Sequence, residues 1–123
     1  MAGVRVLVVD DNELQLLVVA DALASEGYDV SVAANGSEAV RAARARTPDI
    51  LLLDLMLPDI DGATVLAQIR SDPSASGVRV ILTTGVHSPD VRRLLRADAA
   101  LYKPFGMREL IAAVEALASP ASS

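Results

Sequence analysis

The sequence predicts an α/β protein, a five-stranded parallel sheet doubly wound with helices on both faces. Short apolar runs rich in Val, Ile and Leu recur at 4–9, 50–53 and 80–82, with weaker ones at 30–34 and 99–102. These runs are unbroken, as in strands buried on both sides, whereas a half-exposed strand alternates with polar residues. Segments of helical length follow them at 13–25, 37–46, 63–70, 89–96 and 107–117. Strand and helix therefore alternate five times, which implies parallel strands joined by right-handed crossovers.

Each element has a local cause. Run 4–9 ends in Asp10, Asp11 and Asn12, and Asp11 or Asn12 can cap the free backbone donors that open the first helix. That helix is apolar almost all round, with Leu14, Leu16, Leu17, Val18 and Val19 in near succession, and one stripe of it must pack on the sheet. Gly27 closes it, Pro48 separates the second helix from strand three, and Pro73 lies in a polar loop over 71–77. Strand three runs into Asp54, and strand four into Thr83, Thr84 and Gly85. Ser88 ahead of Pro89 is a helix start, because Ser caps free donors and proline has no N–H to leave unpaired. Strand five runs into Lys103 and Pro104. In the last helix Met107, Leu110, Ile111, Val114 and Leu117 form a single apolar stripe. Residues 119–123 are small and polar and read as a frayed tail or linker stub, which leaves one domain over 1–118.

Composition narrows the function. At 123 residues the chain amounts to one domain, and a chain of this size buries roughly 60–70% of its unfolded surface without staples. With no Cys, thiolate metal sites and thiol catalysis are excluded. A formal net charge of -5 argues against direct nucleic-acid binding, which needs basic surface to displace phosphate counterions. No apolar stretch reaches the roughly 20 residues that span a bilayer, so no membrane insertion is expected. The run 4–9 is too short for a signal peptide and ends in two aspartates, so a cytoplasmic location is expected. His87 has no second His or Cys with which to share a metal and reads as an exposed loop residue.

Ligands of such folds bind at the carboxyl ends of the strands. There Asp10 and Asp11 would meet Asp54, and carboxylates this close repel unless a cation joins them or one takes up a proton. Mg²⁺ fits, being a hard ion held by carboxylates, waters and phosphates. Thr84 and Lys103 add a hydroxyl and an ammonium. A cation, a lysine and a hydroxyl around one carboxylate suit phosphoryl transfer, with Asp54 as nucleophile forming an acyl phosphate.

Asp10-Asp11, Asp54 to Pro58 with Asp61-Gly62, Thr84-Gly85 and Lys103-Pro104-Phe105 together resemble the receiver domain of two-component response regulators, over about residues 3–118. Four pieces in the right order at the ends of the right strands are specific where each alone is weak. The resemblance implies a flavodoxin-like strand order 2-1-3-4-5. It further implies that Asp54 accepts the phosphoryl group, that Asp11, Asp54 and the Met56 carbonyl ligate Mg²⁺, and that Asp10 acts through a metal-bound water. Lys103 would pair with one phosphoryl oxygen, Thr84 would hydrogen-bond another, and the Lys103–Pro104 peptide could be cis. The implied donor is a sensor histidine kinase or histidine phosphotransfer protein in a phosphorelay. The implied output is a switched protein-interaction surface serving an output partner or an output domain outside these residues. The domain would assist its own phosphorylation and dephosphorylation without being a turnover enzyme. For the surplus apolar positions Leu16 and Val19 of the first helix, two readings stand: docking of the helical phosphodonor, or packing against the last helix.

The chain also departs from the family. The switch aromatic expected three positions before Lys103 is Ala100, and the Thr84 to Lys103 interval is about one helical turn short, with the deficit in the fourth helix. Arg92, Arg93 and Arg96 make that helix basic within an acidic protein, which suits either a solvated face or an acidic partner. A haloacid-dehalogenase-type phosphatase needs a second Asp two positions after the nucleophile, where this chain has Met56. A flavin carrier needs aromatic rings around the flavin, and Tyr28, Tyr102 and Phe105 are the only aromatics. A phosphate-independent binding module is the remaining rival. The complete set of Asp10, Asp11, Asp54, Thr84 and Lys103 argues against it, while Ala100 and the short fourth helix argue partly for it.

Overall fold

The computed structural model describes residues 3–86 and 89–118. The elements run β1 (Arg5–Val9), α1 (Glu13–Ser25), β2 (Asp29–Ala33), α2 (Gly36–Ala45), β3 (Ile50–Asp54), α3 (Gly62–Arg70), β4 (Arg79–Thr84), α4 (Pro89–Leu94), β5 (Ala99–Tyr102) and α5 (Met107–Ala118). All strand pairs are parallel, in the order β2-β1-β3-β4-β5. The fold class and strand order are those expected from the sequence. The Ser88 cap, His87 and the 119–123 tail lie outside the described residues.

The unbroken apolar runs reflect burial on both faces. Successive strand residues point to opposite sides. Leu7, Val9, Leu51, Leu53, Val80 and Leu82 accordingly pack with Val40 of α2 and Val65, Leu66 and Ile69 of α3. Their neighbours Val6, Val8, Ile50, Leu52 and Ile81 pack with Leu23 of α1 and with Leu110 and Val114 of α5.

One open reading is decided by the structure and one expectation needs correction. In α1, Leu16 and Val19 are 6% and 2% exposed and share a cluster with Leu110 and Val114, so the packing reading holds and the docking reading does not. The exposed large apolar side chains of α1 are Leu14, Leu17 and Val18. Residues 16, 19 and 23 are spaced to make one helical stripe, but in a helix apolar all round the pattern alone cannot select it. The fourth helix, expected over 89–96, ends at Leu94. Arg96 takes φ 53°, its N–H donates to the Arg93 carbonyl, and the Ala97 N–H donates to the Arg92 carbonyl. This is a Schellman stop, in which the residue just past the helix turns left-handed. The same stop ends α1, where Gly27 (φ 94°) takes that position and Tyr28 N donates to the Leu23 carbonyl.

Gly27 announces its stop because glycine turns left-handed at no steric cost, whereas Arg96 announces nothing. Arg96→Gly should relieve a left-handed cost of about 1–2 kcal/mol, partly offset by the freer unfolded chain, for a net gain of up to about 1 kcal/mol. A urea midpoint at or below that of the wild type would contradict this. The 71–77 loop is not wholly irregular: a 3-10 turn over Pro73–Ala75, capped by Asp72, buries Ala75 in the α2 and α3 layer.

Candidate functional site

β1 and β3 are adjacent in the sheet, so their carboxyl ends deliver Asp10 and Asp54 side by side. Both carboxylates are buried, at 5% and 2% exposed, while Asp11 is exposed at the rim. Asp10 Oδ1 accepts the Asn12 N–H at 2.9 Å, and Asp54 Oδ1 accepts the Met56 N–H at 2.9 Å. Of the two proposed caps for α1, Asn12 serves, its side chain accepting from Gln15 N at 3.0 Å. That leaves the Asp11 carboxylate for other work.

Lys103 closes the site from β5. Its N–H donates to the Thr84 carbonyl at 2.8 Å, which ties it to the end of β4, and the Lys103–Pro104 peptide is cis. Lys103 Nζ donates to Asp54 Oδ2 at 2.9 Å and reaches Asp10 Oδ2 at 3.4 Å. Thr84 is buried, and its Oγ1 accepts the Val86 N–H at 3.0 Å, which leaves the hydroxyl proton to donate. Burial pushes the Asp54 carboxyl above its ordinary value; the Met56 N–H and Lys103 oppose the rise and the Asp10 charge adds to it. Burial lowers the Lys103 ammonium, but its bond to Asp54 and the charges of Asp54 and Asp10 outweigh that and leave it raised.

Asp10, Asp11 and Asp54 each offer a carboxylate oxygen, and these atoms lie within 4.8 Å of one another. An all-oxygen anionic set of this size fits a hard divalent cation such as Mg²⁺. Of the residues expected from the sequence, the structure joins the side chains of Asp10, Asp54 and Lys103, sets the Asp11 carboxylate beside them and bonds Met56 N to Asp54, while Thr84 ends the neighbouring strand β4. The Met56 side chain is 71% exposed. Ala100, at the expected switch position, is half-buried against the α2 and α3 layer.

Asp59, on the β3 to α3 loop, was not legible in the sequence as bearing on the site, and Gly62, which opens α3, was legible only as part of the Asp61-Gly62 motif. Asp59 reaches across to the start of α2, and Gly62 lets α3 approach the end of β3, since a Cβ there would lie 2.6 Å from Leu55 Cα. Asp61 caps α3, accepting from Thr64 N at 2.9 Å and Thr64 Oγ1 at 3.1 Å, and these bonds hold its carboxyl below the usual range. A depressed folded pKa makes this contribution complete above the unfolded value near pH 4 and removes it as pH falls through the lower folded value. Asp61→Ala should therefore melt below the wild type at pH 7, and the gap should narrow below about pH 4; a gap constant from pH 7 to pH 2 would rule this out.

A family model described as response regulator receiver domain matches residues 6–115. The chain is 41% identical over 115 residues to the DNA-binding response regulator MtrA of Mycolicibacterium smegmatis, covering 91% of this chain and 49% of that protein. It spans about half the length of the curated relatives it matches. Among solved structures, the receiver domain of sensor histidine kinase PA1611 from Pseudomonas aeruginosa, with a magnesium ion coordinated in its active-site cleft, superposes with a TM-score of 0.85. Its identity is 31%, over 96% of this chain and 100% of that one. The Vibrio cholerae chemotaxis protein CheY4 superposes with a TM-score of 0.88 at 26% identity, over 94% of this chain and 99% of that one. No helix among the described residues is long and apolar enough to cross a membrane.

Proposed function

Because the chain belongs to the response regulator receiver domain family of two-component signalling, we propose that it accepts a phosphoryl group on Asp54, in a reaction that requires Mg²⁺, and switches a protein-interaction surface in response. The observation that carries this reading is the buried Asp54 carboxylate, with Lys103 Nζ 2.9 Å away and Asp10 and Asp11 oxygens within 4.8 Å. The donor is a phosphohistidine on a sensor kinase or phosphotransfer protein.

An Asp54 oxygen attacks phosphorus, the new P–O bond forms as the P–N bond breaks, and the bonding pair leaves with the imidazole nitrogen. Asp10, Asp11, Asp54 and the Met56 carbonyl would hold Mg²⁺, which supplies charge neutralisation for the phosphoryl oxygens. Lys103 moves its ammonium from the Asp54 carboxylate to a phosphoryl oxygen, and Thr84 donates its hydroxyl proton to another. A depression lined by Asn12, Gln15, Lys103, Pro104 and Phe105 opens beside the lysine and gives the donor an approach. The readout face is that of α4, β5 and α5, where Ala100 replaces the aromatic of the usual switch and α4 is short. Because the curated relatives are about twice as long, the output is assigned to a partner or to a segment outside these residues.

The test is intact mass after incubation with acetyl phosphate and Mg²⁺. One phosphate adduct is expected, absent in Asp54→Asn and absent when the cation is chelated. An adduct that persists in Asp54→Asn would place the chemistry elsewhere. Absence of any adduct, together with no binding of beryllofluoride, would favour the phosphate-independent module.

A further inference from the structure

The loop 55–61 joins β3 to α3 and carries Met56. Its ends are held by neighbours in sequence: Met56 N donates to Asp54 Oδ1 at 2.9 Å, Gly62 N donates to the Leu55 carbonyl at 3.0 Å, and Asp61 caps α3. Its middle is held from another element. Asp59 Oδ1 accepts from Gly36 N at 2.7 Å and from Ile60 N at 2.9 Å, while Oδ2 accepts from Ser37 N at 3.0 Å and Ser37 Oγ at 2.8 Å.

Gly36 and Ser37 open α2, where backbone amides have no partner inside the helix. The next amide, Glu38 N, is taken by Asn35 Oδ1 at 2.9 Å. Two side chains thus share this helix end, one from the adjoining chain and one from the loop that follows the proposed phosphoacceptor. Helix and loop are packed as well as bonded, since a Cβ on Gly36 would lie 3.0 Å from Ile60 Cβ of the loop, and 2.8 Å from Val65 Cγ2 of α3 beyond it. The four donors hold the Asp59 carboxyl well below the usual carboxylate range.

Building on the receiver reading, we propose that Asp59 is a positioning residue: by fastening the middle of the loop to α2, it holds the Met56 peptide in place to serve Asp10, Asp11 and Asp54 as a partner in cation binding. The rival is that Asp59 caps α2 and does nothing more. Asn35 separates the two, because it caps the same helix end and the hydrogen bonds of its side chain run to Glu38 of that helix.

The experiment compares Asp59→Ala, Asn35→Ala and Asp59→Asn by amide hydrogen exchange over 55–60 and by Mg²⁺ titration followed calorimetrically. Both alanine variants should lose some stability. Asp59→Ala should weaken Mg²⁺ about tenfold, at the low end for an outer-shell support, while Asn35→Ala stays within about twofold of the wild type. Exchange in the loop should quicken in Asp59→Ala alone, and Asp59→Asn, which keeps one acceptor for Gly36 N, should recover part of the affinity. Equal Mg²⁺ losses in the two alanine variants, no loss in Asp59→Ala, or unchanged loop exchange would overturn the inference. A wild-type protein that binds no Mg²⁺ would instead bring down the receiver reading and this inference together.

Discussion

Gly62→Ala should destabilise the fold by about 3 kcal/mol or more and abolish phosphorylation, the largest loss expected from a single methyl group here. The added Cβ would lie 2.6 Å from Leu55 Cα, 2.9 Å from the Asp54 carbonyl oxygen and 3.0 Å from Leu55 Cδ2. Two of those three atoms are backbone, so no rotamer change can relieve the contact. Relief requires the start of α3 to back away, which breaks the Gly62 N–H bond to the Leu55 carbonyl and shifts the peptide that carries Asp54. Gly77→Ala is the control, because a Cβ there meets nothing within 4 Å. Urea midpoints and the mass of the phosphorylated protein read both effects. A Gly62→Ala protein with the wild-type midpoint would show that the loop yields more easily than its packing implies.

Lys103→Met should lower stability in chelator and make the protein unusually responsive to Mg²⁺. The ammonium is paired with both Asp54 and Asp10, carboxylates only 3% and 7% exposed in their side chains, while the lysine side chain itself is 32% exposed. Removing one partner of a fully buried pair costs about 3–5 kcal/mol, and the exposed lysine and proton uptake by Asp54 reduce that to roughly 1–3 kcal/mol. Because burial already pushes the Asp54 carboxyl up, loss of the lysine should push it further. A divalent cation held by the same carboxylates replaces the missing charge. Mg²⁺ should therefore raise the melting temperature more in the variant than in the wild type. Phosphorylation should remain slow even in Mg²⁺, because the cation cannot take over the contact with a phosphoryl oxygen proposed above for Lys103. A variant that melts with the wild type in chelator would sink the electrostatic account.

Most of the site was legible because its residues are marked by position along the chain. Asp54 and Lys103 each follow an apolar strand run, and parallel strands of one sheet bring such ends to one edge. Nothing local marks Asp59, whose partners other than the adjoining Ile60 N–H lie 22 and 23 residues away on another element. In α1 the stripe of Leu16, Val19 and Leu23 could not be separated by pattern from exposed Leu14, Leu17 and Val18, because both sets are apolar and only packing chooses between them. The end of α4 was missed because Arg96 holds a conformation that sequence statistics assign to glycine.

By itself, then, the sequence determined the alternation of strand and helix, the burial of the central strands and the identity of the groups at their carboxyl ends. Those properties are written in short-range periodicity, in turn residues and in the composition of single segments. The tertiary structure alone decided which face of α1 is buried, how Asp54 and Lys103 pair across 49 positions, and how the loop after Asp54 is strapped to α2. Each of these is a contact between residues far apart in sequence, set by steric fit and charge in three dimensions, and no local pattern encodes it.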